Sequence, residues 1–258
     1  MTRSAHPIAD ALDPAFLTSR FGRIETWIFD LDNTLYPAHT DLFQQVDRRI
    51  TDFIADYLKV DRDEAHRIQK DYYHRYGTSL RGLMAEDGMD PHAFLDYVHD
   101  IDHSPLEPDP ALGAVLAALP GRKFVLTNGS RGHAVNVTKK LGIDHHFEDM
   151  FGIVEAEFTP KPARETYDGF VTRTAIEPVN AVMFEDIARN LAVPKDLGME
   201  TVLVIEETAD PNVWRGDWEI SDRSAPHIDH VTSDLVAFLM AICDALQFDM
   251  VHPEPAAE

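Results

Sequence analysis

Residues 26–36 read Thr-Trp-Ile-Phe-Asp-Leu-Asp-Asn-Thr-Leu-Tyr, a short run of β-branched and aromatic residues that passes directly into two aspartates one residue apart. An uninterrupted apolar run of this length is what a strand buried on both faces requires. In extended backbone alternate side chains share a face, so Asp30 and Asp32 are expected to point into one crevice while Leu31 turns back. Carboxylates that close repel each other unless a cation or proton sits between them. The stretch therefore predicts a parallel strand whose carboxyl end carries chemistry. Asp30, Asp32 and Asp41 also fall at the spacings of an EF-hand calcium loop. However, Leu35 stands where that loop needs glycine and a strand precedes it, so calcium is set aside.

Working outward, Lys123–Leu126, Ala181–Phe184 and Thr201–Ile205 repeat the apolar pattern, and Met150–Val154 repeats it more weakly. Helical stretches such as Gly132–Leu141 and Ala163–Thr174 lie between them. Alternating strand and helix predicts an α/β fold with a doubly wound parallel sheet. The alternation breaks once, over residues 38–104, where only helical periodicity is found. Phe43, Val46, Ile50, Phe53 and Tyr57 share one expected helix face. Asp61 with Glu64 resembles a capping box ahead of Ala65, Ile68, Tyr72 and Tyr76, and Asp90-Pro91 opens a helix carrying Phe94, Tyr97, Val98 and Ile101. Pro37 on one side, and Pro105, Pro108 and Pro110 on the other, bound the insertion. The expected organisation is thus a core of residues 1–37 and 105–258 and a helical cap of residues 38–104, set where ligands bind in open α/β sheets. Residues 252–258 read as a frayed tail.

The chain has 258 residues and a formal charge of -22, from 45 acidic and 23 basic residues. That balance argues against nucleic-acid polymers and anionic membranes as partners, so an anionic substrate must be captured by local groups. One cysteine allows no internal disulfide. No apolar run approaches the ~18 residues of a membrane span, and the N-terminal stretch lacks the apolar segment of a signal peptide. A cytoplasmic protein, monomeric or homodimeric, is the expectation.

Three further polar clusters follow apolar strands. Thr127-Asn128-Gly129-Ser130 brings a hydroxyl, an amide and backbone N–H groups able to donate to phosphate oxygens. Lys161 precedes Pro162 at an expected helix start and could pair with both Asp30 and a bound phosphoryl group. Glu185-Asp186 supplies hard oxygen ligands that suit Mg²⁺. Taken singly, each has a plain alternative: a turn, a solvated lysine, a helix N-cap. Their joint placement after four strands of one sheet favours a single site. The adjacent His145 and His146 are expected in a surface turn.

These four segments, in this order, resemble the haloacid dehalogenase superfamily, whose phosphatases carry Asp-x-Asp-x-Thr, then Ser/Thr, then Lys, then an acidic pair. The resemblance covers residues 28–206, with the insertion where that family places a helical cap. FDLDNTLY (29–36), YGTSLRGL (76–83), TNG (127–129) and FEDIARNL (184–191) look like the pyrimidine 5'-nucleotidase branch. It implies Mg²⁺ held by the Asp30 and Asp186 carboxylates and the Asp32 carbonyl, with Glu185 acting through water. It further implies Asp30 as nucleophile, Asp32 as acid/base, and Thr127, Asn128 and Lys161 on the phosphate. The expected substrate is a small phosphate ester, a pyrimidine nucleoside 5'-monophosphate, with Tyr76, Thr78 and Arg81 as cap contacts. Phosphoglycolate or a sugar phosphate is the alternative ester. A dehalogenase would not need Asp32 and Asp186, and a silent binding protein would not need the full set.

Overall fold

The computed structural model describes residues 13–206 and 223–248; the tail expected at 252–258 lies outside them. Six strands, β1 (Thr26–Phe29), β2 (Arg122–Leu126), β3 (Asp149–Phe151), β4 (Ala181–Glu185), β5 (Glu200–Val204) and β6 (His230–Thr232), form one sheet in the order β3-β2-β1-β4-β5-β6. Every pairing is parallel. The strands alternate their side chains between two apolar layers: Trp27 and Phe29 join Val125, Phe184 and Phe238 on one face, while Ile28 joins Phe124, Met183 and Phe170 on the other. Burial on both sides is why these segments read as continuous apolar runs.

Helices α1 (Pro14–Phe21), α6 (Pro110–Ala118), α7 (Arg131–Leu141), α8 (Arg164–Thr174), α9 (Ala192–Asp196) and α10 (Leu235–Leu246) belong to this core. Sequence reading named neither β6 nor α1, α6, α9 and α10. The three-residue β6 is too short to carry a strand signal and forms because it pairs with β5. Helix α1 packs Leu17 and Phe21 into the same layer as Phe238 of α10.

Four helices separate β1 from α6: α2 (Leu42–Leu58), α3 (Arg62–Tyr76), α4 (Ser79–Asp87) and α5 (Pro91–Val98). Three open on side-chain caps: the expected Asp61 accepts from the Glu64 N–H at 2.9 Å and the expected Asp90 from the His92 N–H at 3.0 Å, while Thr78, expected as a substrate contact, accepts from the Arg81 N–H at 3.2 Å. They enclose a separate apolar cluster with Val46, Ile54, Ala65, Tyr72, Leu83 and Phe94. The face expected on α2 is partly corrected. Val46 is buried, but Phe43 and Tyr57 are 39% and 43% exposed, and Leu42, Thr51 and Ile54 take the inner positions. Thr51 is drawn inward by Gln69, which accepts its hydroxyl proton. Among the described residues, no helix is long and apolar enough to cross a membrane.

Candidate active site

Strand order reverses direction at β1, with β2 on one side and β4 on the other, and ligand crevices of open α/β sheets lie at the carboxyl ends beside such a point. Register delivers the acidic residues there. Phe29 of β1 pairs with Phe184 of β4, and the Asp30 N–H donates to the Phe184 carbonyl at 2.9 Å, so Asp30 emerges beside Glu185 and Asp186. Carboxylate oxygens of Asp30, Glu185 and Asp186 converge within 4.8 Å of one another.

Lys161 enters this cluster from the segment ahead of α8. Its side chain is 1% exposed, and the ammonium lies 2.6 Å from Asp30 Oδ1, 2.8 Å from the Leu126 carbonyl and 3.1 Å from Glu185 Oε1. Asn128 holds the Lys161 backbone at both ends, its Oδ1 accepting from the Lys161 N–H at 2.8 Å and its Nδ2 donating to the Lys161 carbonyl at 3.3 Å. The Asn128 side chain therefore orients the lysine, which leaves only its backbone N–H for the phosphate role expected of it. Thr127 Oγ1 accepts from the Gly129 N–H at 2.9 Å, so the hydroxyl proton remains to be donated into the cleft. Gly152 lets the β3 loop pack against this turn, since a Cβ there would stand 2.8 Å from the Gly129 carbonyl oxygen.

One buried ammonium cannot neutralise three carboxylates. Burial and then Glu185 push the Asp30 carboxyl up to about 8 against the pull of Lys161, and burial and Glu185 raise Asp186 well above the usual carboxylate range. Lys161 is raised despite its burial, because Asp30 and Glu185 favour its charged form. A site in which carboxylates resist ionisation is short of positive charge. A divalent cation with a preference for oxygen ligands fits that deficit. Glu185 is already committed: its Oε2 accepts from the Asp186 N–H at 2.8 Å, and its Oε1 accepts from Asn190 as well as lying beside Lys161. Asp186 has only a 3.4 Å contact from the Asn33 amide among the hydrogen bonds here, which leaves oxygens free to ligate.

Asp32 does not join the three converging carboxylates. Its Oδ1 accepts from the Tyr36 hydroxyl at 2.5 Å and lies 2.9 Å from His133 Nε2. Burial would raise this carboxyl, but the His133 charge and the bonds from His133 and Tyr36 hold it below its ordinary value. Sequence reading missed His133. The available signal was its position on the first turn of α7, three residues beyond Ser130, which caps the helix by accepting the His133 N–H at 3.2 Å.

A cleft of about 450 Å³ opens above these groups, between core and cap. Its cap wall includes the apolar Phe43, Ile50, Phe94 and Val98 and the polar Asp47 and Lys70. Of the expected cap contacts, Thr78 lines the cleft, although its hydroxyl oxygen caps α4. Tyr76 and Arg81 do not line it. Tyr76 turns to Glu86 and Arg75, and Arg81 is exposed to solvent. Helical spacing could not say which side of α3 or α4 meets the core. His145 and His146 do sit in a short turn, residues 144–146, away from the site.

A parallel α/β core with a buried Asp–Lys–acidic cluster beneath a helical cap defines a hydrolase of the capped, aspartate-centred kind. The chain belongs to the haloacid dehalogenase-like hydrolase family, whose profile matches residues 24–198. It is 28% identical over 225 residues to phosphate metabolism protein 8 of Saccharomyces cerevisiae, covering 80% of this chain and 70% of that protein. Among solved structures it is similar in fold to a phosphatase of the same superfamily from Thermococcus onnurineus, with a TM-score of 0.56 at 18% identity over 88% of this chain and all of that one. A family member from Streptococcus pneumoniae has a TM-score of 0.52 at 13% identity, over 85% of this chain and 98% of its own.

Proposed function

We propose that this hydrolase is a Mg²⁺-dependent phosphomonoesterase that works through a phosphorylated Asp30 and takes pyrimidine nucleoside 5'-monophosphates. The observation that carries the reading is the Lys161 ammonium held between the Asp30 and Glu185 carboxylates, with Asp186 across from them and a second acid, Asp32, two residues from the nucleophile. Phosphoryl transfer needs a nucleophile, positive charge on the transferring group and a proton for the leaving oxygen, and this set contains each.

Asp30 and Asp186 would hold Mg²⁺, together with the Asp32 carbonyl, and Glu185 would steady the arrangement through its own hydrogen bonds. When bound, the cation supplies charge that favours the Asp30 anion and draws electron density from the phosphoryl group. An Asp30 carboxylate oxygen attacks phosphorus in line, and the bond from phosphorus to the ester oxygen breaks. Asp32 gives that oxygen its proton. Asp32 has to be protonated for this step, and the negative charge of the incoming phosphate opposes its ionisation. Water then attacks phosphorus, Asp32 takes a proton from it, and the bond to Asp30 breaks to release phosphate and restore the carboxylate. The Thr127 hydroxyl and the Asn128 N–H donate to the phosphoryl oxygens throughout.

The choice of leaving group is supported by the cap wall, where apolar side chains suited to a flat ring stand beside the hydrogen-bonded pair of Asp47 and Lys70, 2.9 Å apart. The name of the yeast relative points to phosphate metabolism without naming a substrate. Phosphate release from UMP, CMP, dTMP, phosphoglycolate and sugar phosphates, with Mg²⁺ or EDTA, tests the reading on wild type and Asp30→Asn. Mg²⁺-dependent release that the substitution abolishes, fastest on the nucleotides, is the expected result. Faster turnover of another ester would overturn the substrate, and release that survives Asp30→Asn would overturn the mechanism.

A further inference from the structure

Both hydrogen bonds to the Asp32 carboxylate fall on one oxygen. Tyr36 donates to Oδ1 at 2.5 Å, and His133 Nε2 lies 2.9 Å from the same atom. No hydrogen bond reaches Oδ2 from the described residues, and Asp32 lines the cleft. A carboxylate gripped through one oxygen from two directions cannot swing about its χ2 axis without losing both partners. Oδ2 is thereby kept toward the cleft.

The His133 ring is itself held. His133 is 2% exposed and sits in the first turn of α7, where its backbone N–H donates to the capping Ser130 hydroxyl. The same Ser130 hydroxyl lies 3.0 Å from His99 Nδ1, and the His99 ring, carried by the cap just past α5, stacks on His133 at 4.6 Å and 12°. Burial, and then His133, push His99 down to about 3, so it is neutral and its Nδ1 can accept the serine proton. Gly129 leaves the ring undisturbed, since a Cβ there would stand 3.3 Å from His133 Cδ2 and press it aside by a few tenths of an ångström. His133 is thus packed from below by the core and from above by the cap.

We infer that His133 is a positioning residue for proton transfer: with Tyr36 it clamps Asp32 through Oδ1 and presents Oδ2 to the leaving-group oxygen. The inference rests on the phosphomonoesterase reading above. It makes a demand that simple structural support does not, because protonation matters only for leaving groups that are poor without it. An alkyl oxygen requires the proton, whereas p-nitrophenolate departs as a stable anion.

The experiment compares wild type, His133→Leu and His133→Gln in full-length protein with Mg²⁺, measuring kcat/KM on p-nitrophenyl phosphate and on the alkyl ester UMP. This parameter reports steps up to phosphoryl transfer, and so excludes the later hydrolysis in which Asp32 acts as base. His133→Leu is expected to lower kcat/KM on UMP about 100-fold, within the range for general-acid catalysis, and on p-nitrophenyl phosphate about threefold. The ratio of the two therefore shifts about 30-fold. His133→Gln, which keeps a donor near the Nε2 position, should recover at least tenfold on UMP. Equal losses on both esters, or no loss on UMP, would overturn the clamp while leaving the phosphomonoesterase reading intact. Absence of any Mg²⁺-dependent release that Asp30→Asn abolishes in wild type would overturn that reading, and the clamp with it.

Discussion

Lys161 Nζ lies 2.6 Å from Asp30 Oδ1 across 131 residues of chain and 3.1 Å from Glu185 Oε1. The Leu126 carbonyl at 2.8 Å and the Asn128 side chain hold it in place. The end of β1, the end of β2 and the segment before α8 are thus tied at a single ammonium.

Lys161→Met is expected to abolish ester hydrolysis and to destabilise the fold by about 3–5 kcal/mol, because breaking a buried pair leaves uncompensated charge. Urea unfolding at pH 8 in EDTA measures the second effect. Lys161→Arg should stay inactive, since a planar fork does not fit a site built around a point charge. An unchanged unfolding midpoint in the methionine variant would refute the electrostatic role given to this ammonium.

On the proposed reading Asp186 is a Mg²⁺ ligand, and metal should act on stability through it. Wild type should gain about 2.7 kcal/mol when Mg²⁺ stands at 100 times its dissociation constant. Asp186→Asn should lose that gain and all activity. In EDTA it should be at least as stable as wild type, because one of three crowded carboxylates is gone. Thermal melts with and without Mg²⁺ decide the point, and a substantial Mg²⁺ shift in the variant would remove Asp186 from the ligand set.

Phe43 offers a test of the cap wall that does not disturb the cap's own core. It lines the cleft and is 39% exposed, so Phe43→Ala should leave the unfolding midpoint nearly unchanged. On nucleotides kcat/KM should fall 10- to 100-fold, the usual consequence of lost apolar contact in a pocket, with a smaller fall on phosphoglycolate. Parallel losses on the two ester classes would mean that Phe43 does not read the leaving group.

Away from the site, Asp229 ties β5 to the start of β6. It accepts from Lys195 at 2.5 Å, from Arg20 at 3.1 Å and from the Thr201 hydroxyl at 3.0 Å. Burial would raise its carboxyl, but the Lys195 and Thr201 hydrogen bonds hold it below the ordinary value. A carboxyl with a lower pKa folded than unfolded adds stability above about pH 4, its unfolded value, and loses it as pH falls through the folded value. Asp229→Asn should therefore cost about 1.5–3 kcal/mol at pH 7, the range for hydrogen bonds to charged groups. The difference from wild type should shrink steadily below pH 4 in denaturant titrations. A difference independent of pH would assign the loss to packing.

Much of this molecule was legible in one dimension, and the reasons are local. Strands buried on both faces must be continuously apolar, so β1, β2, β4 and β5 announced themselves, and the polar residues that ended each run marked the sheet edge where a ligand binds. Asp30, Thr127, Glu185 and Asp186 could be named because each ends or follows directly on such a run, and Lys161 because it stands beside Pro162 just ahead of α8. The four-helix insertion stood out for the same reason, through a change of period. What chain order could not carry is contact across it. That His133 grips Asp32 from 101 residues away, that Asn128 serves the lysine backbone, and that Phe43 rather than Tyr76 faces the cleft depend on how α7, the Lys161 segment and the cap are seated against the sheet. Periodicity says that a helix has an apolar side, but only tertiary packing decides which neighbour that side meets and which of its residues is left at the mouth of the site.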